Sequence, residues 1–190
     1  MSGERGFVDE SIVYLGNGAR EYVLVCVIFM QDSIEDVRLT LRPFLLSGQR
    51  KLHWRDESIR RRKHILRSLS GLPMDVVVVR SEFQISERSE RARRKCLEVL
   101  YRELSERGIV DLVLEGRDSS QNQRDVVHIN ALQQALRVPK AVRIRHIPGW
   151  DEPVLWIADF LCGLAGASRS EGDYPDEVLD KVVSSLRADL

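Results

Sequence analysis

Three acids sit among apolar residues at well-separated points of the chain. Asp9 lies within GFVDES, Glu115 closes the run DLVLE, and Asp159 stands in the middle of VLWIADFLCG. On helical spacing the neighbours of Asp159 are Leu155, Trp156, Cys162 and Gly163. An unpaired buried charge costs roughly several kcal/mol, so an acid on such a face needs a cation, a hydrogen-bond partner or a raised pKa. If the three carboxylates converge they repel one another. Such clusters persist with cations present, typically Mg2+ or Mn2+ on oxygen ligands. Two such ions about 4 Å apart can activate water and stabilise the leaving oxygen in phosphodiester cleavage. Each acid also has a plainer use: Glu115 as a strand-end acid, Asp159 in a salt bridge to Arg143 or Arg145. Asp118 and Asp125 read as loop or helix-start residues, with Asp118 able to reach a metal as an outer ligand.

Residues near these acids extend the possible chemistry. Asp9 and Glu10 are adjacent in a strand and face opposite sides. Phe7, Asp9 and Ser11 share one face, so Asp9 is the site candidate, and Glu10 pairs with an arginine or lies at the strand's end. His53, in KLHW, is a packed or surface residue, or else a phosphate contact or proton carrier, because imidazole titrates near neutrality. Arg117 follows Glu115 closely and suits either a phosphate or a carboxylate. His128 and His146 carry no evident chemistry. The sequence contains no Ser-His-Asp order, no GxxxxGK[ST] and no GxGxxG.

The elements that must position these residues follow from periodicity. Gly6–Val13 and the continuous run Glu21–Met30 read as two strands joined at Gly16-Asn17-Gly18, a hairpin. Helices are expected over Ser33–Leu46 and Asp56–Leu69, then a strand at Met74–Arg80 and a long helix at Ser86–Gly108. A strand at Ile109–Leu114, a helix at Gln121–Arg137, a strand at Ala141–Ile147 and an apolar helix at Pro153–Ala167 follow. Arg169–Leu190 reads as polar, then a short amphipathic helix. A hairpin followed by alternating units implies an α/β fold with a mixed sheet and helices on both faces. The expected arrangement is ribonuclease H-like: a single domain over 1–190, a five-stranded sheet, and a helical insertion at about 33–70. There the first and fourth strands lie side by side with the last helix across them, which would unite Asp9, Glu115 and Asp159.

Charge is balanced overall, with 29 basic and 29 acidic residues, which argues against a polybasic coat. Locally it is uneven: ten bases face two acids between Arg38 and Arg67, whereas nine acids face three bases from Asp151 onward. The basic segment is either a solvated face or a phosphate-contacting patch, for which Arg55, Arg61, Arg62, Lys63 and Arg117 are the candidates. Cys26, Cys96 and Cys162 are widely spaced in apolar or helical settings, as expected of reduced core thiols in a cytoplasmic protein. Tyr22–Met30, the longest apolar run, is far too short to span a bilayer.

Several of these stretches together resemble the prokaryotic family known as domain of unknown function 3800. The opening strand ending FVDES, the apolar second strand YVLVCVIF, the short KLHW motif, the strand end LVLEGRD and the closing helix LWIADFLCG all match its pattern. The resemblance covers nearly the whole chain and implies a ribonuclease H-like fold with metal-dependent nuclease activity. It implies Asp9, Glu115 and Asp159 as the acidic core, with Glu10 and His53 in matching motif positions. Two departures stand out. Lys51 takes the place of an acid that often precedes the His motif, and Trp156 lies where a glutamine is common. No acid on the long helix is an obvious fourth ligand, Glu90 and Glu98 being the candidates.

Two functions therefore compete. One is a metal-dependent nuclease using Mg2+ or Mn2+, with Asp9, Glu115, Asp159 and His53 as catalytic residues and nucleic acid, DNA or RNA, as partner. The other is a non-catalytic nucleic-acid or protein-binding module on the same fold. Dimerisation through the apolar last helix is compatible with both.

Overall fold

The run Glu21–Met30 is apolar without alternation because both of its faces are covered. The computed structural model describes residues 3–16, 18–84, 86, 88–167 and 181–189. Strand β1 (Glu4–Gly16) pairs antiparallel with β2 (Ala19–Met30), which pairs antiparallel with β3 (Asp75–Gln84). Val23, Val25, Val27 and Phe29 point into one core, and Tyr22, Leu24, Cys26 and Ile28 into the other. Between β2 and β3 the chain forms helix α1 (Ile34–Leu41), short 3-10 turns and helix α2 (Ile59–Ser70). Ser58 caps α2 through a hydrogen bond from the Arg61 N–H. Ser33, the expected cap of α1, instead donates its hydroxyl to the Met30 carbonyl, and α1 ends before Pro43.

The rest alternates: α3 (Ser89–Glu106), β4 (Asp111–Glu115), α4 (Ser119–Gln134), β5 (Arg143–Ile147) and α5 (Val154–Ala167). Gly108 ends α3 with φ of 80°, a conformation that glycine adopts without strain. β4 pairs parallel with β1 on one side and with β5 on the other. Helices α1, α2 and α5 lie on one face of the sheet and α3 and α4 on the other. Helix α5 packs across β1 and β2.

Among the described residues the sheet has six strands, in the order β5-β4-β1-β2-β3-β6, where five were expected. The sixth, β6 (Val182–Arg187), runs parallel to β3. It falls where a short amphipathic helix was expected. The outer edge of β3 presents a row of unpaired N–H and C=O groups, and pairing with them outweighs a weak helical period. The Ala188 N–H donates to the Arg80 carbonyl at 2.8 Å, and the Ser81 hydroxyl to the Ala188 carbonyl at 2.8 Å, extending the seam. Residues 168–180 lie outside the described residues.

Almost every apolar residue of α5 is buried within this chain, Val154, Leu155, Ile157 and Phe160 completely. The helix therefore offers no apolar face to a second copy, which removes the basis for dimerisation through it. Among the described residues no helix is long and apolar enough to cross a membrane.

Gly6, near the start of β1, shows how closely side chains of the neighbouring strands β2 and β4 close over β1 beneath α3. A Cβ there would meet the Cys26 sulfur at 2.7 Å and Leu112 Cδ2 at 2.8 Å. Gly6→Val is expected to destabilise the fold by about 1–3 kcal/mol. A lowered urea midpoint with an unchanged m-value would report it; an unchanged midpoint would show that the layer can yield.

Candidate functional site

β1 outruns its partner β4, and the first candidate site forms where the two part. Their pairing ends at Val8 and Leu114. The next residues on the two parallel strands are Asp9, where β1 continues without β4, and Glu115 at the carboxyl end of β4, the end at which open α/β sheets place their ligands. Asp9 points to the α5 face, as its alternation with Phe7 requires. Asp159 reaches the same place from α5. Burial is the largest cause that holds the Asp9 carboxyl well above the ordinary aspartate value. The charges of Glu115 and Asp159 and a hydrogen bond shared with Glu115 push it further in the same direction, and Lys51 offsets them in part. The structure therefore brings together the three acids singled out from sequence.

The segment KLHW closes this cluster from outside. Lys51 Nζ bonds Glu115 Oε1 at 2.6 Å. Burial pulls the ammonium down, but the Glu115 hydrogen bond and the charges of Glu115, Asp159 and Asp9 outweigh it and hold the lysine above its ordinary value. The Trp54 N–H donates to Asp159 Oδ2 at 2.6 Å, and His53 Nε2 lies 3.8 Å from Asp159 Oδ1. His53 Nδ1 accepts the Arg55 N–H at 3.1 Å, so the neutral ring carries its proton on Nε2, facing Asp159. Asp159 is also raised, first by burial, while His53, the Trp54 N–H and Lys51 draw it back. The partners of Asp159 are thus a backbone amide and a histidine. Arg145 lies instead 3.7 Å from Asp111, and Arg143 is exposed, so the expected salt bridge to either arginine is absent.

Two glycines make this closure possible. A Cβ on Gly163 of α5 would stand 2.1 Å from the Trp54 ring, and one on Gly149 would stand 2.3 Å from Glu115 Oε1. Trp54 lies edge-on to Phe160, with ring centroids 5.6 Å apart, and Arg62 covers its other side with its guanidinium 4.6 Å from the ring centre.

A second polar cluster occupies the opposite face of β1. Glu10 points there and meets Arg93 and Arg117, as one of its two expected uses requires. Arg93, 1% exposed, grips Asp125 with two hydrogen bonds of 3.1 and 2.8 Å and donates to the Tyr22 hydroxyl at 3.1 Å. Arg117 reaches Glu90 at 3.4 Å and Asp125 at 3.3 Å, and His146 Nε2 lies 2.9 Å from Asp125. Burial works against ionisation of Asp125, yet His146 and Arg93 overcome it and hold its carboxyl well below the usual range. Asp125, His146 and Arg93 were not candidates from sequence. Arg93 stands four residues before Leu97 on the buried stripe of α3, a charge in an apolar period, and that was its available signal.

The remaining candidates separate. Asp118 is exposed and caps α4, accepting the Gln121 N–H at 2.9 Å and the Ser120 hydroxyl at 2.7 Å; it does not join the carboxylates around Asp9. Arg61 is tied to Glu57 and to the Phe44 carbonyl, and Arg117 to three carboxylates, so neither is an open phosphate contact. Lys63 is half-buried in α2 and is not among the residues lining the clefts described here. Arg55 and Arg62 line a cleft of about 880 Å³ beside Trp54 and Gly163. A neighbouring cleft of about 540 Å³ has His53, Asp159 and Arg117 in its walls.

The donor set suits a hard divalent cation. It is all carboxylate oxygen, and after burial, the largest cause, the charges of Glu115 and Asp159 raise Asp9 further while Lys51 opposes them. As the side chains stand, one Glu115 oxygen is taken by Lys51 and one Asp159 oxygen by the Trp54 N–H. Among the described residues no three His, Cys, Asp or Glu side chains are already spaced as a ligand set. Binding a cation there requires these side chains to shift.

No family model matches the chain, so the resemblance to domain of unknown function 3800 remains a resemblance. No curated protein matches it either. Solved structures do. A mutant of Bst-RNase HIII aligns with a TM-score of 0.50 and 13% identity over 90% of this chain. RNase HII from Archaeoglobus fulgidus, in its complex with PCNA, aligns with a TM-score of 0.51 and 13% identity over 92% of this chain and 81% of that one. The chain spans only 54% of the length of the first. At this identity the likeness establishes the fold: the chain has a ribonuclease H-like fold.

Asp9 carries a stability signature. An unfolded aspartate ionises near pH 4, roughly, whereas the folded Asp9 ionises only at higher pH. Between the two values the folded state holds the extra proton, so stability falls as pH rises through that window. Asp9→Asn keeps an oxygen to accept the Glu10 N–H and is expected to be more stable than wild type near pH 7, with a flatter pH profile in urea unfolding. Equal or lower stability at neutral pH would contradict the strain assigned to this carboxylate.

Proposed function

We propose that this chain is a metal-dependent nuclease that cleaves phosphodiester bonds at the Asp9–Glu115–Asp159 cluster. The observation that carries this reading is the convergence of three carboxylates from β1, β4 and α5 at the point where β1 and β4 part. Asp9, Glu115 and Asp159 would hold Mg2+ or Mn2+, which supplies Lewis acidity toward a phosphodiester. His53 presents its Nε2 proton toward Asp159 and is placed to carry a proton at the cleft wall. Lys51 holds Glu115 in place and lends a fixed positive charge. Trp54 and Phe160 exclude water from behind Asp159. Arg55 and Arg62, with the Trp54 ring, form the wall on which a nucleic-acid strand would lie, through phosphate contacts and cation–aromatic stacking.

The competing reading, a binding module without catalysis, draws on the Lys51–Glu115 ion pair. That pair partly neutralises the cluster without a metal, and a shared fold does not establish chemistry.

A cleavage assay separates the two. Labelled single-stranded RNA, single-stranded DNA, duplex DNA and RNA–DNA hybrid would be incubated with Mg2+ or Mn2+. The nuclease reading expects metal-dependent cleavage of at least one substrate, reduced about a hundredfold or more by Asp159→Asn and by Glu115→Gln. Binding of these nucleic acids without cleavage in either metal, unchanged by both substitutions, would favour the module.

A further inference from the structure

Helices α3 and α4 enclose a cleft of about 690 Å³ on the side of the sheet away from α5. Its walls carry Arg88, Arg91, Arg94, Lys95, Arg124 and Arg137, against two acids among the described residues, Glu90 and Glu98. Both acids are engaged: Glu98 with Arg137, and Glu90 with Arg117 from outside the cleft. Among the described residues, no carboxylate lies within ion-pair distance of the other five cations. Like charges held together destabilise a fold unless something of opposite sign shares the site. An ordinary solvated helix face would intersperse acids at the next turn, and here the acids present are already used.

A second, independent observation comes from the cleft's interior. His128 of α4 lines it, is 6% exposed, and has no hydrogen-bond partner for Nδ1. A buried polar atom left unpaired is costly and uncommon. Burial, and next the charge of Arg94, push this imidazole down to about 4. The ring thus lies beside Arg94 and Arg137 with its Nδ1 unpaired, and the charges of Glu98 and Asp125 oppose those cations. Ala131 and Ala135 keep the α4 wall low.

We propose that the α3–α4 cleft binds a run of two or three phosphate groups, with the free cations as its walls and His128 at its floor. The length fits. Arg91 and Lys95 lie on one side of α3, about 6 Å apart at 1.5 Å per residue, and Arg88, at its N-cap, extends the row beyond the helix, too long for one phosphate and suited to several. Such a run comes from a nucleic-acid backbone or from a nucleoside polyphosphate. The site does not rest on the nuclease reading, because none of the three acids of the cluster lines it.

The test is calorimetric titration of the full chain with inorganic tripolyphosphate, a nucleoside triphosphate and a ten-nucleotide oligothymidylate. It is run in chelator, so that no metal bridges the anion. Two double variants remove equal charge from exposed positions: Arg91→Ala with Arg124→Ala in the cleft, and Arg42→Ala with Arg67→Ala elsewhere. The proposal expects saturable binding of at least one probe, weakened tenfold or more by the cleft pair and less than twofold by the control pair. The His128 ring resonances should shift at saturation. Dependence confined to the oligonucleotide assigns the phosphates to a nucleic-acid backbone; dependence confined to the two small probes assigns them to a nucleotide. Absence of saturable binding by all three probes, equal losses in the two double variants, or unmoved His128 resonances would overturn the site.

Discussion

The structure depends on confining three carboxylates where β1 and β4 part beneath α5. Besides the Glu10 N–H on Asp9, their mutual repulsion is opposed by an ammonium, a backbone N–H and an imidazole from the four residues Lys51–Trp54. That short segment therefore cannot wander. The Trp54 ring fits only because Gly163 lacks a side chain, and the Lys51–Glu115 pair only because Gly149 does. Helices α1 and α2, on either side of the segment, serve in turn to bring it across the sheet.

β1 separates two polar clusters that resolve the same problem differently. On the Glu10 side, two arginines and a histidine meet Glu10, Asp125 and Glu90, and Asp125 is driven firmly to its charged form. Charges of opposite sign are paired throughout that cluster, although Glu90 Oε1 and Arg117 Nε have no hydrogen-bond partner, and breaking it would leave a buried charge alone. On the Asp9 side the charge does not balance, and the carboxyl is driven toward its neutral form. A cluster whose buried acid is held ionised serves the architecture. One whose acid is pushed toward its neutral form, at the mouth of a cleft, is where chemistry concentrates.

Much of this was legible in the sequence, for identifiable reasons. The apolar periods located β1 to β5 and the helices, because a strand buried on both faces or a helix buried on one leaves a pattern. Asp9 and Asp159 were legible because a carboxylate breaks an apolar run, and the opposite facings of Asp9 and Glu10 follow from strand geometry alone. β6 was not legible, because its pairing is set by the open edge of β3, a distant partner. The same holds for the Trp54 N–H as partner of Asp159, since a backbone amide carries no residue signature. Lys51 was visible only as a departure from a family pattern, and its role appears once β4 is placed beside it. Arg93 and Asp125 were hidden by their ordinary helical settings, and each becomes meaningful only through the other.

The claim on which the account stands is that the Asp9 cluster carries negative charge meant for a cation. The direct measurement is a calorimetric Mn2+ titration of the wild-type chain beside Asp9→Asn and Asp159→Asn, each checked for an intact fold by circular dichroism. The account expects saturable binding in wild type, lost in both variants. Wild-type binding that both variants retain would place the metal elsewhere. No binding at all, in a chain whose Asp9 is as strained as described here, would mean that Lys51 is the cluster's final counter-ion.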